Sequence, residues 1–366
     1  MRVARLVLTD FRNYERLVWE PQARLSVLFG ENGAGKTNLL EALSLLAPGR
    51  GLRGAGNSQI LRQGAHVWGI AARLGAEDPV SIATGSDPSN PARRLFRLDD
   101  MPVRAQSQIA AHCAVTWLTP PMDRLFSDPA SGRRRFLDRL VLALDSNHAR
   151  EAASHERSVS QRNRVLGTHP GQAVWLDGLE DSIARHAVAM TASRLALVEA
   201  MNARDLAYGS TFPATRLRLR CAIGALLSER PAIAVEEQLR DALRASRGAD
   251  RERGATSSGA HRADFALEDV RTGRDATLSS SGQQKAMLVH TILNHAGLLR
   301  AMGHASPLIL LDEPLVHLDR QRRDALQDFL ARSDMAVTMT GTDRAHFAAL
   351  ERHAEFRQIS DGGFVS

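Results

Sequence analysis

A glycine-rich octapeptide, Gly30-Glu31-Asn32-Gly33-Ala34-Gly35-Lys36-Thr37, fits the Walker A pattern of phosphate-binding loops. Its glycines allow backbone N–H groups to turn inward around phosphates, and a helix that begins there points its positive dipole end at them. Lys36 is placed to reach the β- and γ-phosphates during catalysis, and the Thr37 hydroxyl is placed to coordinate Mg²⁺. The octapeptide therefore predicts a site for ATP with Mg²⁺.

The residues around this loop indicate the fold class. An apolar run at 25–29 precedes the loop and is typical of a buried strand, whereas residues 37–46 after it have helical character. A further strand is predicted at 3–8. A strand, a glycine-rich turn and a helix open an α/β nucleotide-binding fold.

A second apolar strand, predicted at 307–311, ends in the acids Asp312 and Glu313, which is the Walker B arrangement. Asp312 is predicted to hold Mg²⁺. Glu313 is predicted to orient or deprotonate the attacking water and is the second catalytic candidate after Lys36. Asp319, six residues beyond Glu313, matches the D-loop of ABC-type ATPases.

The stretch Leu278-Ser279-Ser280-Ser281-Gly282-Gln283-Gln284-Lys285 resembles the ABC signature motif. Ser280 and Gly282 match its serine and second glycine, whereas Ser279 and Ser281 depart from its leucine and first glycine. A serine at a helix start is also an ordinary N-cap. We favour the signature interpretation because Walker B follows, and we include Ser280, Gly282 and Gln283 in the predicted nucleotide site with Asp319.

In ABC-type ATPases the signature of one subunit covers the γ-phosphate held by Walker A of the other. This chain has one copy of each motif, so the sequence predicts an ATP-dependent homodimer with two composite sites.

Bulk composition narrows the class of protein. The net charge is +6 and the isoelectric point is about 10.2, which is compatible with a polyanionic partner but does not by itself indicate nucleic acid. Lys36 and Lys285 are the two lysines among 47 basic residues. The two cysteines have no metal or disulfide spacing, no signal peptide is evident, and no apolar run reaches the length of a membrane span, so we expect a cytoplasmic protein without membrane association.

Between the motifs, residues 55–115 are expected to form short strands of an antiparallel lobe. A helical pattern at 131–166, a break at 167–171 and a second helical run from Trp175 predict an antiparallel helical hairpin, although two ordinary core helices fit the same pattern. The Arg-, Gly- and Ser-rich stretch 244–258 is expected to be a mobile loop. The nucleotide-binding fold is therefore expected to be split by a helical insertion.

Five short motifs resemble the RecF family of bacterial recombination and repair proteins in their order along nearly the whole chain. They are Leu8-Thr9-Asp10-Phe11-Arg12-Asn13-Tyr14, Ser131-Gly132-Arg133-Arg134-Arg135-Phe136-Leu137-Asp138, Gln161-Arg162-Asn163, His261-Arg262-Ala263-Asp264 and Gly282-Gln283-Gln284-Lys285.

The resemblance implies an ABC-type ATPase head split by a helical insertion that forms a short antiparallel arm. We expect the first head segment at 1–120, the arm at 121–260 and the second head segment at 261–366, with Arg12 and Asn13 contributing to the nucleotide site. It further implies slow, DNA-stimulated ATP hydrolysis, binding to gapped, junction or duplex DNA with little sequence preference, association with the nucleoid, and cooperation with RecO and RecR in loading RecA.

Several points stay open at this level. No Q-loop glutamine is evident, and Thr342 or Asp343 stands where ABC transporters have a phosphate-sensing histidine. Arginines are candidates for DNA phosphate contacts, namely Arg53, Arg62, Arg133, Arg134 and Arg135. A transporter ATPase subunit is a second reading, but about 240 residues separate Walker A from the signature, which is too many for that class. A non-catalytic DNA clamp is a third, against which Glu313 argues.

Overall fold

The computed structural model describes residues 2–75, 78–204, 212–303 and 307–365. The chain divides into two compact units. The first comprises residues 1–123, 206–214 and 279–366, and the second comprises residues 124–205 and 215–278. Walker A, Walker B and the signature from Ser279 onward belong to the first unit, so the second unit interrupts the nucleotide-binding fold in sequence.

Strands are numbered in chain order. They are β1 (Val3–Phe11), β2 (Tyr14–Trp19), β3 (Leu25–Phe29), β4 (Gly69–Leu74), β5 (Val80–Asp87), β6 (Asn90–Leu98), β7 (Met101–Pro102), β8 (Val115–Leu118), β9 (Thr215–Arg220), β10 (Asp264–Asp269), β11 (Leu308–Leu311), β12 (Ala336–Gly341), β13 (Ala354–Ser360) and β14 (Gly363–Phe364).

Helices are numbered in the same way. They are α1 (Lys36–Ser44), α2 (Asn57–Ile60), α3 (Gln106–Ala110), α4 (Ala130–Leu144), α5 (His148–Thr168), α6 (Ala173–Asn202), α7 (Ala222–Leu227), α8 (Ala232–Ala245), α9 (Arg247–Arg253), α10 (Ser281–Ala301) and α11 (Arg320–Arg332). Short 3₁₀ turns lie at Pro120–Arg124, Ala260–Arg262, Ala276–Leu278 and Arg344–Leu350.

The first unit contains a sheet in the order β14-β13-β3-β12-β11-β8. The strands from β13 to β8 in this order pair in parallel, and only β14 is antiparallel. β8 and β11 are buried along their whole length, as are all but the last residue of β3, which explains their nearly continuous apolar sequences. Because parallel strands end at one edge, the chain segments after β3, β11 and β12 meet there.

A second sheet of the first unit is antiparallel, in the order β2-β1-β4-β5-β6-β7. Alternate residues such as Leu6, Leu8 and Ile70 are fully or almost fully buried in the core of this unit. The antiparallel strands predicted within 55–115 are confirmed by β4 to β7.

In the second unit, α5 and α6 run antiparallel. Contacts between them pair Glu151 with His186, Ser158 with Ser182 and Arg162 with Glu180. Residue numbers decrease along α6 as they increase along α5, which defines an antiparallel pair. The prediction of one helical run over 131–166 was wrong at 145–147, where the chain leaves α4 before starting α5. The Asp145 carboxylate accepts the Asn147 backbone N–H at 3.0 Å, a local turn that competes with the helix.

Two further expectations differ from the structure. The stretch 244–258 is not an open loop, because α9 forms within it around Asp250, a fully buried carboxylate that accepts from the Ser246 hydroxyl and the Ser257 backbone N–H. Residues 261–278, expected in the head, group with the second unit because β10 pairs with β9 along its whole length. No helix in the described part of the chain is long and apolar enough to cross a membrane.

Candidate functional site

The Walker A loop joins β3 to α1 with a backbone that favours glycine. Gly30, Gly33 and Gly35 have φ angles of 148°, 87° and 114°, in the region that other residues rarely adopt. A Cβ atom on Gly35 would lie 2.6 Å from Asn13 Nδ2 and 2.8 Å from the Tyr14 hydroxyl. The sequence of the loop is therefore required both by its turns and by the close packing of the β1–β2 hairpin on it.

Lys36 is the first residue of α1 and is buried inside this loop. Its Nζ donates to the carbonyl oxygens of Gly30 at 2.7 Å and Glu31 at 2.8 Å. Burial lowers the pKa of Lys36, and the nearby carboxylates of Glu313 and Asp312 oppose that shift. The ammonium thus lies between the phosphate-binding loop and the acids that follow β11.

The predicted magnesium ligands lie together. The Thr37 hydroxyl donates to both carboxylate oxygens of Asp312, at 3.0 and 3.1 Å. Asp312 is almost fully buried, and its Oδ1 also accepts from the Thr340 hydroxyl at 2.7 Å. A hydroxyl and a carboxylate are the hard oxygen donors that Mg²⁺ prefers. The donor set that the sequence predicted for the metal therefore fits it.

Glu313, the predicted water-activating acid, follows Asp312 in a left-handed conformation with φ of 50°. Its backbone N–H donates to the Thr340 hydroxyl at 3.0 Å. A small cavity of about 70 Å³ beside it is lined by Thr340, Thr342 and His346 among others. Thr340 and His346 were not among the predicted site residues. The signal available for Thr340 was its place near the end of β12, two residues before Thr342, but Thr338 on the same strand carries the same hydroxyl, so the sequence did not single Thr340 out.

The hairpin residues Arg12 and Asn13 take different positions. Asn13 contacts the Walker A loop directly, because its Nδ2 donates to the Ala34 carbonyl at 3.1 Å. Arg12 instead forms a two-point ion pair with Glu41 on α1, at 2.8 and 2.6 Å. The Arg12 side chain therefore binds α1, the helix that follows the loop, and fixes α1 against the hairpin.

The predicted signature residues begin α10. Ser280 is its N-cap, and Gln283 reciprocates, because the Ser280 hydroxyl accepts the Gln283 N–H while Gln283 Oε1 accepts the Ser280 N–H at 3.0 Å. This capping box engages the Gln283 side chain locally. Ser280 itself is exposed, so both interpretations of this serine, cap and signature, remain compatible with its geometry.

The segment after Walker B packs on the start of α10. A Cβ on Gly282 would lie 2.7 Å from the His317 carbonyl oxygen, so only glycine allows this approach. Asp319 caps α11 by accepting the Arg322 N–H at 2.9 Å. Asp343 likewise caps the 3₁₀ turn after β12 through the Ala345 N–H. The D-loop and signature segments thus adjoin one another within the first unit.

Comparison with known proteins agrees with this arrangement. A family model described as "AAA domain, putative AbiEii toxin, Type IV TA system" matches residues 25–165. The chain is 42% identical over 369 residues to the DNA replication and repair protein RecF of Rhizobium rhizogenes, covering 99% of this chain and 98% of that protein. It is 40% identical to the RecF protein of Agrobacterium fabrum, covering 100% and 98%.

The chain belongs to the RecF family. Its fold agrees with a solved structure described as the recombination mediator protein RecF-ATPrS in the RecFOR pathway, with a TM-score of 0.84 and 21% identity over 99% of this chain and 97% of that one. An SMC head domain from Pyrococcus furiosus matches with a TM-score of 0.53 and 14% identity, covering 99% and 95%. The head therefore has the ABC-type ATPase fold, and RecF membership makes the chain an ATP-binding ATPase.

The Gln161-Arg162-Asn163 motif belongs to a buried polar network in the second unit. Arg162 is fully buried and pairs with Glu180 at 2.9 Å and Asp250 at 2.8 Å, both also fully buried. Its neighbour Asn163 accepts from the Thr256 hydroxyl at 2.7 Å. In this chain the Gln-Arg-Asn motif therefore stabilises the helical unit.

The two remaining RecF motifs are linked to each other. Arg133 forms a two-point pair with Asp264 at 2.8 and 3.1 Å, and Arg134 donates to the Ala263 carbonyl at 2.9 Å. Asp138 pairs with the buried Arg194 at 2.7 and 2.9 Å. Arg133 and Arg134 of the first motif therefore hold α4 to the start of β10. Asp138 of the same motif holds α4 to α6.

These pairs correct the sequence-based choice of DNA contacts. Arg133 and Arg134 were expected to face DNA phosphates, but both guanidinium groups bind partners inside the second unit. Arg53 pairs with Glu41 at 2.9 Å, and Arg62 pairs with Asp10 at 2.7 Å. Arg135 differs from the other four candidates. It is exposed, and it forms no ion pair with any residue that the structure describes. An arginine run suggests a basic surface in the sequence because its acidic partners lie far away along the chain.

Proposed function

We propose that this chain is a DNA-binding ATPase of recombinational repair that acts as an ATP-dependent homodimer. The observation that supports this most directly concerns two features of the first unit. The Walker A and Walker B residues lie close together, whereas the start of α10, which carries the predicted signature, is exposed. The Thr37 hydroxyl contacts Asp312 at 3.0 Å, and the Lys36 ammonium, held by the Gly30 carbonyl at 2.7 Å, is coupled electrostatically to Glu313 and Asp312. Ser280, in contrast, faces solvent. A second copy would supply the missing half of each site.

The chemistry of the exposed half suits a γ-phosphate. A helix N-terminus carries a partial positive charge and unpaired N–H groups, both of which stabilise an anion. α10 is 21 residues long, and Gly282 near its start lets the D-loop approach it closely. In the proposed dimer, Ser280 and Gly282 of one copy face the phosphate held by Lys36 of the other.

Each residue of the site has a separate role in the proposed hydrolysis of ATP. Thr37 and Asp312 would hold Mg²⁺, which neutralises charge on the phosphates when bound. Glu313 would orient the attacking water and accept its proton. Lys36 would stabilise the charge that develops on the transferred phosphoryl group.

DNA binding is proposed from the family and from surface charge. The relatives are named DNA replication and repair proteins, and this chain carries +6. A cavity of about 630 Å³ lies on the open face of the antiparallel sheet and is lined by Arg93, Arg97 and Arg104. Arg93 pairs with Asp87 at 3.9 Å, whereas Arg97 and Arg104 are exposed. Since four of the earlier candidates are paired internally, we propose this arginine-lined face, together with Arg135, for phosphate contacts with gapped, junction or duplex DNA.

Such contacts recognise the backbone and carry little sequence preference. By extension from the family and from the pathway named for the related structure, we propose that the DNA-bound dimer works with RecO and RecR to help load RecA. We further propose that it acts in the cytoplasm, at the nucleoid.

The dimer proposal is tested with Ser280→Arg, which puts a bulky cation at the proposed phosphate contact. Sedimentation with ATP should show dimers for the wild type and monomers for the variant, while both bind ATP. Ser228→Arg is the matched control, because it adds the same charge at an exposed serine that ends α7 in the second unit. Dimers of Ser280→Arg equal to those of the control would refute the composite site.

The DNA proposal has its own test. Arg97→Gln with Arg104→Gln should weaken duplex binding and reduce the log–log salt slope by about 0.9 for each phosphate that the variant no longer neutralises. Arg332→Gln with Arg352→Gln removes the same charge from exposed positions of the same unit and should leave the slope unchanged. Equal effects in the two double variants would show that only total charge matters.

A further inference from the structure

A single buried hydroxyl joins the two acids of the Walker B segment. Thr340, on β12, has no solvent exposure. Its Oγ1 lies 2.7 Å from Asp312 Oδ1 and 3.0 Å from the backbone nitrogen of Glu313. One side chain therefore contacts both the predicted metal ligand and the backbone of the predicted water-activating acid.

The direction of these two hydrogen bonds follows from the protons that the Thr340 hydroxyl and the Glu313 backbone carry. A threonine hydroxyl has one proton to donate and lone pairs to accept. The hydroxyl donates that proton to Asp312 Oδ1. The Glu313 N–H can only donate, so it takes a lone pair of the same oxygen.

The hydrogen bond from the Glu313 N–H to Thr340 supports an unusual backbone conformation at Glu313. Glu313 has a φ of 50°, a conformation that costs free energy in a residue with a side chain and persists where surrounding contacts hold it. β11 ends at Leu311, so the Glu313 N–H lies beyond the strand and is bonded by Thr340 instead. The turn that aims the Glu313 carboxylate is thus held by the same group that orients Asp312.

The strand that carries Thr340 is rigidly placed. β12 lies between β3 and β11 in the parallel sheet, with Thr340 opposite Leu28 in register. The next residue, Gly341, is packed against the Phe347 ring so closely that a Cβ there would overlap it. A group that must hold others in place is best carried on such a central strand.

We propose that Thr340 is a positioning residue for ATP hydrolysis, which sets the orientation of Glu313 relative to the metal ligand Asp312. The proposal rests on the roles proposed for Asp312 and Glu313. It predicts that removal of the hydroxyl lowers the rate of the chemical step far more than it lowers affinity for MgATP.

The main test is Thr340→Val, which keeps the shape of the side chain and removes the hydroxyl. We expect kcat to fall about a hundredfold, as for a misplaced reacting group, with the Kd for a fluorescent ATP analogue and Mg²⁺ changed by less than about threefold. Thr340→Ser, which keeps both hydrogen bonds, should retain most of the wild-type kcat.

Thr338→Val is the matched control. Thr338 is also buried, lies two residues earlier on the same face of β12 and pairs in register with Leu310 rather than with the Walker B acids. This variant should leave kcat near the wild-type value. A similar fall in kcat for both valine variants would overturn the proposal, because the effect would then belong to the strand.

Other results are equally decisive. Unchanged kcat in Thr340→Val, or a fall in ATP affinity as large as the fall in kcat, would overturn the positioning role. If the valine variant does not fold, Thr340→Ser and Thr340→Ala are compared instead. Both lack the γ-methyl group of threonine, and only serine keeps the hydroxyl. We then expect a large kcat ratio in favour of serine, and equal values would overturn the proposal.

Failure of the underlying function would look different. If Glu313→Gln hydrolysed ATP normally, the role of Glu313 would be wrong. If Glu313→Gln is inactive while Thr340→Val is fully active, only the positioning role is wrong.

Discussion

The Thr37 hydroxyl and the Asp312 carboxylate are separated by 275 residues of sequence and lie 3.0 Å apart. The first follows β3 and the second follows β11, two strands that end at the same edge of one parallel sheet with β12 between them. A long intervening segment, most of it a separate compact unit, does not disturb this convergence. The sheet alone brings the two proposed magnesium ligands together.

If these two residues share the metal, Thr37→Val should raise the Mg²⁺ concentration needed for ATP binding by about tenfold or more, because a direct oxygen donor is removed while the Lys36 contact is kept. The measurement is a titration of nucleotide binding with Mg²⁺ at fixed ATP. Asn38→Ala, at the adjacent and partly exposed position, is the control. An unchanged Mg²⁺ midpoint in Thr37→Val would remove Thr37 from the metal site.

Glu313→Gln should bind MgATP normally and fail to hydrolyse it, because the amide cannot accept the proton of water while Asp312 still holds the metal. Dimers should then accumulate with ATP, and sedimentation together with phosphate release measures both effects. Turnover at the wild-type rate would mean that another group, such as His346 in the adjoining cavity, activates the water.

Arg133 and Arg135 are two residues apart and should behave differently. Arg133→Gln should destabilise the second unit by about 2 kcal/mol, because it leaves the partly buried Asp264 without its charged partner. Arg135→Gln should leave stability unchanged and weaken DNA binding. Thermal unfolding and DNA affinity of both variants test this, and a stable Arg133→Gln with weakened DNA binding would reverse the assignment.

His155 should make the second unit sensitive to mild acid. Burial, with smaller contributions from the nearby His261 and Arg194, lowers the pKa of His155 from 6.5 to about 4. Between these values the unfolded chain binds a proton that the folded chain does not, so stability falls as the pH is lowered through that window, by about 2 kcal/mol from pH 7 to pH 5. Above 6.5 this residue has no effect.

Urea unfolding at pH 7 and pH 5 measures this dependence. His155→Asn should abolish that part of the difference, whereas His169→Asn, at an exposed position after α5, should keep it. Equal pH dependence in all three proteins would show that His155 is not the responsible group.

Short motifs made the nucleotide site predictable. The Walker A turn, the acids after β11 and the capped start of α10 are encoded within a few residues each, and the structure brings Lys36, Thr37, Asp312 and Glu313 together. Family resemblance also led to the correct fold class. These inferences needed only local sequence and the rule that parallel strands end at one edge.

Long-range partners were not predictable in the same way. Arg133 resembles a DNA contact in the sequence because Asp264, which neutralises it, lies 131 residues away. Thr340 resembles an ordinary strand residue because its partners lie 27 and 28 residues away. The stretch 244–258 resembles a loop because burial of Asp250 against Arg162, which supports α9, leaves no periodic apolar signal.

The proposed function depends most on the coupling of ATP to DNA through dimerisation. A dimer presents two basic surfaces, and each additional neutralised phosphate steepens the log–log salt dependence of binding by about 0.9. The most direct test is duplex DNA affinity of the wild type across a salt series, with ATP and with ADP. We predict tighter binding and a steeper slope with ATP. Coincident slopes with the two nucleotides would contradict this coupling and would mean that a single chain binds DNA through its own basic face.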